Sequence, residues 1–263
     1  MDKKIPKALT IAGSDSGGGA GIQADLKTFA SLGVHGSSVI TAVTAQNSKE
    51  VSAVHNVPLD IIEKQINAIF DDIGADAVKI GMLSNSEIIK TVSNLLKKYK
   101  IKNIVLDPVM VAASGDKLLE DDAIETLKKE LIPIALIVTP NIPETEILVG
   151  RKIENKEDMK KAAKEILNLG CKAVLMKGGH LSLDENKVID IFYNGSFLEI
   201  KNNKISKEGH GTGCTLSSAI AAYIAKGFDL KESVEKAVSY VHKALEKGYK
   251  VGSKNYVLDH FCK

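Results

Sequence analysis

Tryptophan is absent from the 263 residues, and aromatic side chains make up only 5% of them. No series of aromatic platforms is therefore on offer for stacking successive nucleic-acid bases. Charge of one sign is equally scarce. Lys+Arg 35 against Asp+Glu 33 leaves a net +2, whereas a general nucleic-acid binder needs a concentrated basic surface to displace counterions. No apolar run approaches the roughly 20 residues of a spanning helix, so no membrane span is expected. The apolar run that ends at Gly13 is shorter than a signal-peptide core and lacks a small-residue cleavage site. Cysteine is limited to Cys171, Cys214 and Cys262, an odd and widely spaced set in no metal-ligand pattern. These read as reduced thiols of a cytoplasmic protein. What the chain does have is 44% hydrophobic and 26% charged residues, a mean hydropathy near zero, and 21 glycines that fall in clusters. That balance suits one α/β domain spanning residues 1–263.

Short apolar runs alternate with helix-period segments. Strands are expected at residues 8–12, 38–45, 77–80, 104–106, 136–138 and 173–176, rich in Val, Ile and Leu on both faces as covered parallel strands are. Helices are expected near 20–32, 60–73, 86–99, 121–131 and 156–169. In the second of these, Ile61, Ile62, Ile66, Ile69, Phe70 and Ile73 are expected to make one stripe with Lys and Glu opposite. Repeated strand–helix–strand units predict a three-layer α/β/α sandwich with a mostly parallel central sheet. After Gly178 the rhythm changes. Segments 188–193 and 196–200 flank Asn194-Gly195, a strong hairpin signal. A polar stretch at 201–208 and helices near 215–225 and 230–247 follow. No linker or internal repeat marks a second domain.

The first glycine cluster, residues 12–25, reads AGSDSGGGAGIQAD. It sits between the first expected strand and helix, where a nucleotide-binding loop would lie. A P-loop requires Gly-Lys-Ser/Thr after four spacers, and from Gly13 the chain offers Gly18-Gly19-Ala20 with no lysine. The G-x-G-x-x-G fingerprint fails too, because Gly17-x-Gly19 runs into Ala20, Gly21 and Ile22. The glycines still permit close backbone approach of another molecule; alone, the segment also reads as a connector. The second cluster, residues 208–216 (EGHGTGCTL), precedes an Ala/Ser-rich helix. Backbone N–H groups of Gly211, Thr212, Gly213 and Cys214, with the helix dipole, would form an anion hole for a phosphoryl group. The same dipole would favour a Cys214 thiolate. Alone, this loop also reads as a capped helix with a buried cysteine.

Three polar groups fall at or just beyond expected strand carboxyl ends, where open α/β sheets bind ligands. They are Asp107-Pro108-Val109-Met110, Thr139-Pro140-Asn141-x-Pro143-Glu144 and Lys177-Gly178-Gly179-His180. Asp107 and Glu144 can organise Mg²⁺ through water, and Lys177 can neutralise phosphate charge. Asn141 and Glu144 equally fit a helix N-cap and its partner. Together the three groups describe a phosphotransferase site without a P-loop.

Seven segments, in this order, resemble the ribokinase-like superfamily and, within it, the hydroxymethylpyrimidine/phosphomethylpyrimidine kinases of thiamine biosynthesis. They are residues 12–25, 41–47 (TAVTAQN), 79–83 (KIGML), 107–119 (DPVMVAASGDKLL), 139–144 (TPNIPE), 176–180 (MKGGH) and 210–215 (HGTGCT). The resemblance implies ATP-dependent phosphorylation of 4-amino-5-hydroxymethyl-2-methylpyrimidine to the monophosphate and then the diphosphate. It implies that Gln46 hydrogen-bonds the aminopyrimidine edge, with a side-chain amide supplying donor and acceptor together. Gly13, Asp25, Met82 and Val109 would line the pyrimidine pocket. Gly211, Thr212, Gly213 and Cys214 would form the catalytic anion hole, and Asp107, Asn141, Glu144 and Lys177 would handle ATP phosphates. Mg²⁺ would be held by Asp107 and Glu144 through water, with room for a monovalent cation. A cytoplasmic homodimer with small-molecule partners, and neither nucleic acid nor membrane as partner, is implied as well.

Cys214 stands where most ribokinase-like sugar kinases carry an aspartate base, so it reads as a weak proton acceptor without a covalent role. Cys171 reads as a buried side chain and Cys262 as a tail residue. His35 and His55 read as solvated loop residues, and His180 as a nucleotide contact or a turn former. Segment 48–56 reads as a flap. One departure concerns the last helix, where relatives carry Ala-Lys-x-aromatic and this chain reads Ala237-Val238-Ser239-Tyr240. Lys236 is one residue away, about 100° around the helix. The rival readings are a pyridoxal/pyridoxine kinase and a non-catalytic pyrimidine-binding protein. Similar pyridoxal kinases place a cysteine after Asp-Pro-Val, where this chain has Met110, and residues 114–117 follow the pyrimidine-kinase pattern. Pyridoxal is therefore expected as a side activity. A non-catalytic binder would have a broken phosphate site, whereas here the Asp, Glu, Lys and anion-hole residues are all present.

Overall fold

The structure, a computed structural model, describes residues 4–111, 118–179, 181, 184 and 186–262. His180 and residues 114–117 lie outside the described residues. The apolar runs become β1 (Lys7–Asp15), β2 (His35–Gln46), β3 (Val51–Asn56), β4 (Ala77–Ile80), β5 (Ile104–Leu106), β6 (Ile137–Val138), β7 (Val174–Met176), β8 (Lys187–Tyr193) and β9 (Phe197–Asn203). They form one sheet in the order β3-β2-β1-β4-β5-β6-β7-β8-β9. The six strands from β2 to β7 are mutually parallel, and β3, β8 and β9 add antiparallel edges.

Alternate residues of the central strands enter separate cores. Leu9, Ile11, Ile104 and Leu106 face one layer, and Ala8, Ala77, Val105 and Ile137 the other. The first layer holds α2 (Leu59–Ala68), α3 (Ser86–Lys98), α4 (Asp121–Thr126), α5 (Ile142–Val149) and α6 (Lys156–Leu167). The second holds α1 (Gly21–Ser31), α7 (Thr212–Ala225) and α8 (Leu230–Glu246). Small side chains on the second sheet face meet Ala219, Ala221 and Ala222 of α7, so this helix sits close against the sheet. The expected three-layer α/β/α sandwich with a mostly parallel sheet is the observed one.

Local chemistry explains the helix boundaries. The Asn85 side chain accepts from Ile88 N at the start of α3, Glu87 lies in its first turn, and Lys97 and Lys98 lie in its last. Cap and charges thus agree with the helix dipole, while Ile88, Ile89, Val92, Leu95 and Leu96 are buried.

Several boundaries differ from the sequence reading. β1 runs on through Gly13 to Asp15, pairing with β2 across a register shift between Ala12 and Ser14. Part of the first glycine cluster is therefore strand rather than loop. The segment expected as a flap contains β3, paired with the end of β2. His35 and His55 are exposed on strands, not loops. The helix expected over 60–73 loses its α-ladder after Ala68 and closes with a π-helical turn, Ile69–Ile73. α7 begins at Thr212, so Cys214 lies inside its first turn. A small second sheet, β10 (Gly209–His210), β11 (Tyr249–Lys250) and β12 (Tyr256–Val257), has the order β10-β12-β11. Among the described residues no helix is long and apolar enough to cross a membrane.

Candidate active site

The strand order converts scattered motifs into a row. Read across the carboxyl ends of β2, β1, β4, β5, β6 and β7, the chain presents Gln46, Gly13, Met82, Asp107 with Val109, Asn141 and Lys177. Gly13 and Met82 touch, since a Cβ on Gly13 would lie 3.0 Å from Met82 Sδ. Both are buried, while Gln46 and Val109 are half-buried.

The N-terminus of α7 meets this row at its β5–β7 end. A Cβ on Gly213 would lie 3.2 Å from Lys177 Nζ and 3.4 Å from Asp107 Oδ2. Gly211 is the N-cap, in the left-handed region at φ 85°, and contributes no side-chain cap. The first helical bond runs from Thr215 N to Gly211 O at 2.9 Å. The N–H groups of Thr212, Gly213 and Cys214 therefore precede the ladder and are oriented for an anion. A side chain at Gly211 would run into the carbonyl oxygen of Gly19, so the two glycine clusters cross main chain to main chain.

Lys177 Nζ lies 2.9 Å from Asp107 Oδ1 and 3.9 Å from Glu144 Oε2. Burial pulls the Lys177 ammonium downward, but the Asp107 and Glu144 carboxylates outweigh it and hold the pKa above the usual lysine value. Asp107 also receives Thr139 Oγ1 at 3.1 Å, and Asp190 accepts from Gly178 N at 2.8 Å to fix the turn after Lys177. Asn141 and Glu144 form a complete capping box at the start of α5. Glu144 N donates to Asn141 Oδ1 at 2.9 Å, and Asn141 N donates to Glu144 Oε2 at 2.8 Å. Burial pushes the Glu144 carboxyl up to about 7; Lys177 opposes this and Asp107 adds to it.

Two buried carboxylates share one ammonium here, and Lys177 only partly offsets the burial of Glu144, so a divalent cation would suit the charge of the site. Among the described residues no three His, Cys, Asp or Glu side chains converge as a metal cage. Two carboxylates, Asp107 and Glu144, would leave the remaining places around a bound Mg²⁺ to water and phosphate oxygens, which this ion prefers.

Two expectations are corrected by the geometry, and the departure in the last helix is located. Asp25 is wholly buried and takes no place in a pocket wall. Its oxygens receive Lys79 Nζ at 2.8 and 3.0 Å, Thr10 Oγ1 at 2.6 Å and Ser218 Oγ at 2.7 Å. The Cys214 thiolate is disfavoured rather than favoured. Burial pushes this thiol up to about 11, against the pull of Lys79 and the Gly21 N–H, with Asp25 and Asp107 reinforcing the rise. Lys236 makes an ion pair with Glu232 at 3.5 Å on the helix surface, and Val238 is packed in the core. The last helix therefore supplies no lysine at the Val238 position.

Two further side chains went unmarked in the sequence. Lys79, fully buried beneath the row, is raised well above its ordinary pKa because Asp25, Cys214 and Asp107 outweigh the burial that lowers it. His210 lies on β10, with Nε2 3.1 Å from Asp15 Oδ2 and 3.2 Å from Gln46 Nε2. Both were legible only as letters within longer motifs. A cavity of about 390 Å³ opens beside His210, walled by Gln46, Lys49, Glu208, His210 and Lys254 among others. A larger one, about 670 Å³, lies along α8 and the C-terminal segment and includes none of the strand-end residues.

A family model described as phosphomethylpyrimidine kinase matches residues 15–259. The chain is 51% identical over 241 residues, 90% of each chain, to the hydroxymethylpyrimidine/phosphomethylpyrimidine kinase of Rhizobium meliloti (strain 1021). Among solved structures, phosphomethylpyrimidine kinase from Clostridium difficile 630 is 51% identical with a TM-score of 0.81, covering 92% of this chain and 99% of that one. The pyridoxal kinase from Staphylococcus aureus in complex with pyridoxal is 39% identical with a TM-score of 0.91, covering 99% and 95%.

Proposed function

The chain belongs to the phosphomethylpyrimidine kinase family, and from that premise we propose that it phosphorylates 4-amino-5-hydroxymethyl-2-methylpyrimidine with ATP, first to the monophosphate and then to the diphosphate. The observation that carries this reading is the order of side chains along the strand ends. A pocket wall of Gln46, Gly13, Met82 and Val109 leads into Asp107, Asn141, Glu144 and Lys177, with the N-terminus of α7 facing the junction. Gln46 supplies an amide donor and acceptor to the aminopyrimidine edge. Thr212, Gly213 and Cys214 offer N–H groups where charge develops on the transferred phosphoryl group, and Lys177 neutralises the phosphate oxygens. Mg²⁺, held by Asp107 and Glu144 through water, would offset negative charge on the nucleotide phosphates.

Phosphoryl transfer has a loose transition state that depends chiefly on positioning and electrostatics. A thiol held near 11 is a poor acceptor at neutral pH, so Cys214 serves as a positioning group and an N–H donor, with no proton taken before transfer. Asp25 acts from below by holding Lys79, whose positive charge lies under the anion hole. The same reading makes residues 1–263 one catalytic domain of a cytoplasmic homodimer.

Pyridoxal phosphorylation is the second reading, favoured by the likeness to the Staphylococcus aureus pyridoxal kinase and opposed by Met110, which is buried where the aldehyde-trapping cysteine would stand. Purified protein with ATP, Mg²⁺ and either substrate separates them. Mono- and diphosphate appearing in succession from the pyrimidine is the expected result. A higher kcat/KM for pyridoxal would reverse the assignment, and no product from either would sink the kinase reading.

A further inference from the structure

Two polar side chains, His210 and Thr44, flank the amide of Gln46, and their hydrogen counts constrain it. Its main chain is pinned first: Ser16 Oγ donates to Gln46 O at 2.8 Å and accepts from Gln46 N at 2.8 Å. The amide then lies between two fixed groups, with its nitrogen 3.2 Å from His210 Nε2 and its oxygen 3.3 Å from Thr44 Oγ1. His210 Nε2 is also 3.1 Å from Asp15 Oδ2. Asp15 is buried and already accepts from the backbone N–H groups of Gly17, Gly19 and Ala20, which hold it in place. A carboxylate at that distance places a hydrogen on the ring nitrogen it faces, making His210 Nε2 a donor. An amide N–H₂ set against that nitrogen would oppose donor to donor. On the other side, the single hydroxyl proton of Thr44 goes to Ser14 O at 2.9 Å. Thr44 Oγ1 then has only lone pairs left for the amide. Both neighbours therefore favour the amide turned by half a revolution, a choice that hydrogen counting decides.

We propose that Asp15 and His210 are positioning residues that fix the polarity of the Gln46 amide, its oxygen toward His210 and its nitrogen toward Thr44, so that the site selects ligands presenting an amino group beside a ring nitrogen in one order. The inference rests on the proposed role of Gln46 and extends it to a cause of selectivity. After His210 and Thr44 are satisfied, one Oε1 lone pair and one Nε2 proton remain, an acceptor next to a donor. A 4-amino pyrimidine offers the matching donor and acceptor. Its 4-oxo analogue, with a carbonyl and an N–H in those places, needs the reversed amide and would leave His210 and Thr44 unpaired.

The test compares 4-amino and 4-oxo hydroxymethylpyrimidines in turnover and in calorimetric binding, for the wild type and for His210→Leu, His210→Gln and Thr44→Val. The expected result is that His210→Leu raises KM for the amino substrate about tenfold with little change in KM for ATP, and lowers amino-over-oxo discrimination by about tenfold. His210→Gln, whose amide can place an N–H near the Nε2 position, recovers most of that discrimination. Thr44→Val lowers it as His210→Leu does and serves if the leucine variant fails to fold. Unchanged discrimination in both His210→Leu and Thr44→Val overturns the proposal while leaving the kinase reading intact. Selective binding of the amino compound without its phosphorylation overturns the kinase reading and leaves the amide polarity supported. A wild type that binds neither pyrimidine overturns both.

Discussion

Lys79 and Asp25, 54 residues apart in the chain, form a bidentate ion pair with both side chains entirely out of solvent. Removing one partner leaves an uncompensated buried charge, a loss of about 3–5 kcal/mol. Lys79→Met is therefore expected to lower the urea midpoint sharply, and the double variant Lys79→Met/Asp25→Asn to recover part of that loss. Equal stabilities for Lys79→Met and the wild type would contradict the geometry.

Lys177 faces Asp107, Glu144 and the first turn of α7 together. Lys177→Met is expected to lower kcat by about 10²–10³, the scale for losing one group that stabilises transition-state charge. KM for the pyrimidine should change little. Steady-state kinetics with each substrate varied in turn reads both numbers.

Gly211→Ala meets two obstacles, a φ of 85° and the Gly19 carbonyl oxygen. Gly150 has a similar φ, 71°, but open space around its Cβ position. The prediction is a contrast. Gly150→Ala costs about 1–2 kcal/mol of stability and spares kcat, whereas Gly211→Ala lowers kcat by about 10² or more because the N–H groups of α7 must shift. Melting curves beside initial rates distinguish the two.

Glu144 couples stability to pH. Its carboxyl is pushed from 4.5 up to about 7, so between those values the folded chain keeps a proton that the unfolded chain has lost. Stability from this group is present below about 4.5 and is lost as pH rises through 7. Buried Asp190, pushed up to about 6, acts in the same sense. His260, which burial lowers to about 4, acts in the opposite sense between 4 and 6.5. Subtracting the pH–stability curve of Glu144→Gln from that of the wild type isolates the first contribution. A flat difference between pH 4.5 and 7 would refute it.

The raised Cys214 thiol predicts chemistry that a pH series can read. Alkylation by iodoacetamide, located by peptide mapping, should be slow at pH 7.5 and keep rising toward about 11. Cys214→Ser should keep kcat within about tenfold, since Ser preserves the N–H and the small side chain. A plateau in alkylation below pH 8 would restore the base role.

Most of the sheet and the glycine turn before α7 could be read from residue order because their signals are local. Apolar runs such as residues 77–80 and 104–106 mark strands, and glycines beside a small-residue segment mark the start of a closely packed helix. What escaped was nonlocal. β10, β11 and β12 are two residues each and exist only through one another, leaving no periodicity to detect. Asp25 looked like a pocket residue because its motif lies beside the site; only the packing of α1 against β4 and α7 reveals that Lys79 and Ser218 enclose it. The Cys214 thiolate was overestimated because the helix dipole is visible in sequence while burial and two nearby carboxylates are not.

The abutment of Gly211 against the Gly19 carbonyl sets one loop against the other by main chain alone. On the proposed reading, the gap between an alcohol at the first loop and a phosphoryl group at the second is then gauged by peptide atoms, which substitutions in the pocket wall leave in place. Walls such as Met82, Val109 and Gln46 can be exchanged to admit a different ring while the transfer distance stays as it was. A scaffold of this kind can change its substrate without relearning its reaction.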